Sequence, residues 1–414
     1  MIFSGLKRFL YLLICIFLHF STGYGQSNIQ LVESVPVETG LGLKETARTL
    51  PVWLEMIDHA SQSISLSFFY VANDKGKALQ PVMDALQKAA GRGVQIRLLT
   101  DAKMAGVYPG ELELLEKIPS VQVRRISFYN EMDGVMHAKY MIADEEDLFL
   151  GSQNMDWRAL EHIRETGLRI HSRKLSAVFL EIFELDWQIA SMGKLPQNWK
   201  SAFTAEPLNA ANPLQITDSD GEKIVLYPVF SPRLAILPNM MWEEDELLHL
   251  IDSAKTSIEI QLLSFKPVSH GIYYPVLENA LRRAALRGVK VRMIVSDWNT
   301  RMPEIQYLKS LVAVPNISIY ISTIPRWSGG FISYARVEHA KYMAVDDNRV
   351  WVGSSNWSRS YFYQSRNAGL VIRSKRLNGQ FRRIFNQSVQ MGYSQPLELC
   401  RVYVPPQVAE PEGK

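Results

Sequence analysis

The sequence predicts an α/β protein: two pseudo-twofold-related α/β/α domains with mixed, mainly parallel sheets, placed so that their interface carries the functional site. Three observations predict it. Residues from His137 onward recur from His339 onward at a constant offset of 202 positions. Each copy alternates helical and strand periodicity in a βαβ order, which builds parallel strands covered by helices. The composition is that of an ordinary globular chain, with 414 residues, 47% apolar, 21% charged, and 45 Lys plus Arg against 42 Asp plus Glu for a net charge of +3. That balance argues against a disordered chain, a collagen-like repeat and a strongly basic nucleic-acid coat.

Taken in order, Lys7 and Arg8, the apolar run from Phe9 to Phe20 and Gly23-Tyr24-Gly25 predict a secretory signal over residues 1–25. The apolar run of about 12 residues is shorter than the roughly 20 that span a bilayer. The expected location is therefore secreted or periplasmic, with membrane tethering by an uncleaved anchor as the alternative. Cys15 and Cys400 are the two cysteines, so cleavage leaves one thiol and no internal disulfide. The first domain, 26–195, reads as helix 50–61, strand 64–70, helix 76–91 stopping at Gly93, strand 94–99, a third helix and strand, the His137 strand, and a closing helix 174–190. A Pro-, Asn- and Gly-rich stretch follows, with the linker at 196–225. The second domain, 226–400, repeats the order: helix 243–255, strand 258–264, helix 272–287 stopping at Gly288, strand 289–295, the His339 strand and helix 375–391. Residues 401–414 form a C-terminal tail.

What is repeated points to chemistry. His137-Ala138-Lys139-Tyr140-Met141 is identical to His339-Ala340-Lys341-Tyr342-Met343. At the same offset Asp144 matches Asp346, and Gly151-Ser152-Gln153-Asn154 matches Gly353-Ser354-Ser355-Asn356. In an extended chain, residues two apart share a face, so each His projects beside its Lys. An imidazole and an ammonium together at the start of a buried strand are costly unless an anion pairs with them. Two such strands across a pseudo-twofold axis make a phosphate site, in which Lys139 and Lys341 neutralise oxygens and Ser152, Ser354, Asn154 and Asn356 donate neutral hydrogen bonds. One imidazole attacks phosphorus while the other protonates the leaving oxygen, giving a covalent phosphohistidine. The remaining histidines are scattered, no Cys/His cluster has zinc spacing, and this chemistry requires no metal or other cofactor.

The doubled His-x-Lys-x4-Asp and Gly-Ser-x-Asn pattern resembles the phospholipase D superfamily over nearly the whole mature chain. Leu31–Pro36, Gly151–Arg158, Tyr334–Met343 and Gly353–Ser358 with Tyr361-Phe362 look like one branch of it. That branch contains the animal lysosomal phospholipase D-like 5′-exonucleases and the poxviral envelope phospholipase-like proteins. The resemblance implies that His137 and His339 are nucleophile and general acid, with His137 favoured as nucleophile. It implies phosphate binding by Lys139 and Lys341. Asp144 and Asp346 belong to the motif and are read as organising strand and turn. Glu165 stands where a carboxylate orients a catalytic histidine, and its counterpart at the repeat offset is Asn367, which makes the two histidines inequivalent. Unlike the cysteine-rich animal members, this chain keeps at most one mature thiol.

The expected substrate is a phosphodiester. Single-stranded nucleic acid is favoured by basic–aromatic segments just upstream of each His strand. Arg125 and Tyr129 in one half, and Trp327, Tyr334 and Arg336 in the other, are the candidate cleft residues, because bases stack on such rings. A phospholipid is the alternative, with some contact at a membrane surface and 238–242 as a candidate apolar segment. An inactive membrane-associated scaffold is disfavoured by the two complete His-x-Lys motifs.

Overall fold

The computed structural model describes residues 28–201, 204–269 and 271–410. The expected signal segment 1–25, with Cys15, lies outside the described residues. Two mixed sheets form the body of the protein. In the first, of eight strands, the order from Ile29–Ser34 is Glu165–His171, Asp147–Gly151, Tyr140–Ala143, Ser63–Ser67, Gln95–Asp101 and Val121–Ile126. In the second, of ten, Lys223–Ser231 is followed by Asn367–Arg373, Arg349–Gly353, Tyr342–Val345, Ser257–Leu262, Lys290–Ser296 and Ile317–Ser322. The strands that match at the repeat offset thus hold the same places in the two sheets.

The sheets are mixed, but the expectation that they are mainly parallel is not met. Parallel ladders join Ser63–Ser67 to Gln95–Asp101 to Val121–Ile126, and their counterparts in the second half. The strands nearer the site pair antiparallel. The reason lies in the connections: Tyr140–Ala143 returns as Asp147–Gly151 through a short turn, and so does Tyr342–Val345 as Arg349–Gly353. A short turn permits only antiparallel pairing, whereas parallel strands need a crossover. Leu214–Thr217 pairs antiparallel with Lys223–Ser231 as an edge hairpin of the second sheet, so part of the expected linker is sheet.

Local sequence explains the helix ends. Gln80–Gly91 and Val276–Leu286 stop before Gly93 (φ 93°) and Gly288 (φ 87°), left-handed positions that only glycine adopts cheaply. The closing helices Arg173–Met192 and Lys375–Gln390 are both N-capped by serine, Ser172 Oγ accepting from Leu175 N (3.3 Å) and Ser374 Oγ from Leu377 N (3.1 Å). Their inner faces, through Phe179, Phe183, Phe381 and Ile384, share one core with Tyr140, Tyr342 and Leu370. That core spans both halves, while two further cores lie under the remaining helices of each half. The interface is therefore packed like a domain interior. Trp242 is buried in the second of these cores, which accounts for the apolar segment 238–242. Among the described residues no helix is long and apolar enough to cross a membrane.

The motif aspartates belong to this framework. Asp144 accepts from the backbone N–H of Ser61, Gln62 and Ser63, and Asp346 from those of Lys255, Thr256 and Ser257. Each pins the turn after the His strand to the start of the neighbouring strand, away from the histidines. Partial burial raises the Asp346 carboxyl, but these amides outweigh it and hold the group down at about 2. Its side chain is only 15% exposed, with Arg349 at 2.5 Å. A depressed carboxyl contributes stability above its unfolded pKa and loses it as pH falls through the folded one. Asp346→Asn is expected to lower unfolding free energy by about 2 kcal/mol at pH 7, with the gap to wild type closing as pH falls from about 4 to about 2. Urea unfolding across that pH range measures it, and a gap unchanged at low pH would refute the account.

Candidate active site

The two His-x-Lys segments run extended into their strands and bury all four side chains. Relative exposure is 4% for His137, 8% for His339 and 0% for Lys139 and Lys341. Each ammonium donates back to the carbonyl of its own histidine, Lys139 Nζ to His137 O at 2.6 Å and Lys341 Nζ to His339 O at 2.7 Å. These bonds tie each lysine to the backbone that positions its imidazole.

The imidazoles are oriented from the opposite half. Nδ1 of His339 lies 2.7 Å from Glu165 Oε2, and Nδ1 of His137 lies 3.1 Å from Asn367 Oδ1. The backbone makes the same exchange. His137 N donates to Arg366 O (2.8 Å) and Arg366 N to Val135 O (2.9 Å), while His339 N donates to Arg164 O (2.9 Å) and Arg164 N to Val337 O (3.0 Å). With Nδ1 donating in both rings, each Nε2 is the atom left for chemistry. Asn367 cannot flip freely, because its Nδ2 donates to Tyr361 O (2.8 Å) and its Oδ1 also accepts from Ser354 Oγ (3.0 Å).

The serines therefore have a different part from the one expected. Ser354 fixes Asn367, and Ser152 braces the Thr166 backbone, donating to Thr166 O and accepting from Thr166 N. Ser354 holds the residue that holds His137, Ser152 holds the backbone next to Glu165, and neither serine lines the cavity. Asn154 and Asn356 do line it, and each has a buried Oδ1 without a hydrogen-bond partner. Glycine makes the turn possible: Gly151 faces Gly167 across the ladder, and a Cβ on Gly151 would stand 2.9 Å from Gly167 Cα.

Both histidines open onto one cavity of about 430 Å³, the size class of small-ligand sites. Of the five cleft residues expected from sequence, Tyr334 lines it. Arg125 is on the surface paired with Glu116, and Tyr129 is fully buried with its hydroxyl on Asp186 (2.6 Å). Trp327 packs on His162, and Arg336 is spent on the carbonyls of Pro325 and Val37. Upstream position in sequence did not carry these side chains to the cleft, because the chain turns between them and the His strand. The rings that do line it are Phe69, Tyr70, Tyr108, Trp298 and Tyr361, with Arg158 beside them. Phe69 and Tyr70 end the segment expected as strand 64–70, which stops at Ser67 and turns them into the site. Tyr70 stacks on Tyr108 at 5.2 Å, and Phe69 and Tyr361 pack edgewise on His137 at 5.1 and 4.9 Å.

Burial dominates the electrostatics. Desolvation, then Lys139 and Lys341, push the His137 imidazole well below its usual value. Desolvation and then Lys341 push Lys139 well down. Lys341 falls to about 7 by burial, with Glu165 and Glu338 opposing the fall. His339 and Glu165 form a coupled pair. Burial, then Lys341, Lys139 and His137, push the imidazole down, and burial pushes the carboxyl 2.7 Å away up, so the two titrate as a unit. Among the described residues no three His, Cys, Asp or Glu side chains come together as a metal site.

Comparison with known proteins agrees with this geometry. A family model described as PLD3/4, PLD-like domain matches residues 44–323. Phospholipase D Z of Dictyostelium discoideum is 31% identical, covering 89% of this chain and 91% of its own. The mouse 5′-3′ exonuclease PLD4 is 29% identical over 89% of this chain and 79% of its own, and the vaccinia virus virion nicking-joining enzyme 28% over 90% and 91%. Among solved structures, phosphatidylserine synthase of Haemophilus influenzae has the same fold, with a TM-score of 0.60 at 14% identity over 84% of this chain and 85% of that one. The chain belongs to the phospholipase D superfamily of phosphodiesterases, in the branch that includes the PLD3/4 exonucleases.

Proposed function

We propose that the protein is a nuclease that cleaves single-stranded nucleic acid in the manner of a 5′-exonuclease, through a covalent phosphohistidine and without a metal ion. The observation that carries the substrate is the cavity lining: five aromatic rings and Tyr334 surround the two histidines, and every base offers a face to such rings. The names of the mouse and vaccinia relatives support the same reading. Export through residues 1–25 belongs to the proposal.

The roles follow from the two orienting groups. An attacking imidazole must be neutral, and His137, facing a neutral amide and depressed by burial and two lysines, is neutral. A general acid must bring a proton, and the Glu165 carboxylate, 2.7 Å from His339 Nδ1, favours the protonated imidazole there. His137 Nε2 attacks phosphorus as the bond to the leaving oxygen breaks, and that oxygen takes the proton from His339. Water then gives a proton to His339 and displaces His137, breaking the N–P bond. Lys139, Lys341, Asn154 and Asn356 stabilise the equatorial oxygens.

Phospholipid hydrolysis is the second reading. Its support is the partly apolar rim, where Val107 is 57% exposed, and the relative named phospholipase D. Purified protein offered a 5′-labelled single-stranded oligonucleotide beside phosphatidylcholine and phosphatidylglycerol vesicles separates the two. Oligonucleotide shortening is expected, and lipid turnover with intact oligonucleotide would reverse the order.

With an aryl phosphodiester the leaving group needs no proton, so rapid acid-free quenching of His339→Ala should still trap phosphohistidine, whereas His137→Ala should trap none. Label on His339 in the His137→Ala variant would invert the roles. Turnover should also persist in excess EDTA, because the lysines and asparagines carry the charge stabilisation; full inhibition restored by an added divalent ion would contradict this. In a pH–rate profile of kcat/KM, the acid limb should fall below the ordinary histidine range near 6.5, since His137 is depressed. The alkaline limb should begin near 7, as Lys341 loses its proton in the free enzyme. A plateau extending well above 7 would remove Lys341 from that role.

A further inference from the structure

We propose that the C-terminal tail is a positioning strap for Tyr334, holding that ring at the cavity so that it grips the polymeric substrate; the proposal rests on the nuclease reading above. Tyr334 lies in the connection 323–338, which leaves the second sheet, crosses to the first half and returns to the His339 strand. It is the ring of that connection that lines the cavity, and it is 48% exposed. Its backbone is left-handed (φ 60°), as is that of Arg336 (φ 53°), a conformation unfavourable for an L-residue. Something outside the connection has to hold it.

The tail does so at two points. Tyr334 N donates to Val408 O at 2.7 Å, and Glu410 N donates to Ser333 Oγ at 3.0 Å. The opposite wall secures the same residue, as Arg158, whose guanidinium also contacts the Tyr108 hydroxyl, donates to Ser333 O at 3.2 Å. The attachment is not a by-product of close packing along the tail. The segment leading into the tail is anchored where Leu397 N donates to Ile319 O (2.8 Å), and the tail's first residue where Lys309 Nζ donates to Arg401 O (2.7 Å). Beyond that it arches beside a second cavity of about 460 Å³, with Val402 and Val404 86–88% exposed. Its far end is thus fixed where it meets Ser333 and Tyr334. The corresponding connection of the first half, 127–136, is shorter and buries its tyrosine on Asp186. The grip is therefore one-sided, which suits a substrate that enters with one polarity.

The test compares an oligonucleotide with a small aryl phosphodiester, which has no neighbouring nucleotide for Tyr334 to hold. A chain ending at Pro406 should raise KM for the oligonucleotide about tenfold, equivalent to about 1.4 kcal/mol and within the range of one base–aromatic stack. Its kcat, and its hydrolysis of the aryl diester, should be unchanged, which reports an intact fold and catalytic centre. Tyr334→Ala should raise the same KM, and the two changes together should do no more than either alone. A chain ending at Glu410 should behave as wild type. If the shorter truncation fails to fold, Glu410→Pro removes one strap hydrogen bond in the full chain and should raise the same KM to a lesser degree. An unchanged KM, or additive effects, overturns the strap while leaving the nuclease reading in place. Wild-type protein that hydrolyses the aryl diester but not the oligonucleotide overturns both.

Discussion

The structure depends on an exchange across the middle of the molecule: each half supplies the acceptor that holds the other half's catalytic-motif histidine. Glu165 reaches His339, Asn367 reaches His137, and the backbone bridges Arg164–Glu338 and Met136–Arg366 carry those acceptors into place. Neither half alone contains an oriented histidine. The interface must therefore hold distances of about 3 Å between elements some 200 residues apart, and a loose, domain-like contact would not do so. The shared aromatic core supplies that rigidity. So does Arg366, fully buried, whose guanidinium makes a two-pronged pair with Asp186 at 2.8 and 2.9 Å and donates to Ser231 O and Ala235 O. A buried pair of this kind does little for net stability, but removing one partner is expensive. It locks the strand that carries Asn367 to the closing helix of the first half.

The same closeness sets the electrostatics. Lys341 depresses Lys139, the two lysines depress both histidines, and among the described residues neither lysine is ion-paired with a carboxylate. A phosphodiester brings the negative charge that such a cluster favours, and its binding raises the lysine pKa values toward the charged state. The near-neutral overall charge is consistent with this, because the positive potential that matters is confined to a few buried side chains.

Much of this was legible in the sequence, and the limits follow from geometry. The repeat offset identified His137, Lys139, His339, Lys341, Asn154 and Asn356, because identical spacing fixes identical places in two like sheets. Glu165 and Asn367 were recognisable as an unequal pair, but not that each serves the opposite half, since sequence offset carries no information on which surfaces meet. Ser152 and Ser354 read as phosphate donors because a hydroxyl near a phosphate motif has that capacity; only coordinates show that theirs point to the backbone and, for Ser354, to an orienting group. Aromatic residues were harder. Tyr129 and Trp327 share the upstream position of Tyr334, and burial decided among them. Trp298 and Tyr108 reach the cleft from helices and turns whose direction no local pattern encodes.

A phosphodiester is itself unsymmetrical, with one side attacked and the other side leaving, and this explains where the two halves diverge. His-x-Lys and Gly-Ser-x-Asn are alike in the two halves. The groups that face the two imidazoles differ: an amide stands behind His137 and a carboxylate behind His339. Met136 precedes one histidine and Glu338 the other, so that Glu165 and Glu338 act on Lys341 while Glu165 and Asp101 act on Lys139. The long connection bearing Tyr334 has no equal in the first half, so the inequality extends to the rim of the cavity. A symmetric scaffold thus builds the phosphate site, and a small number of unequal residues give it direction.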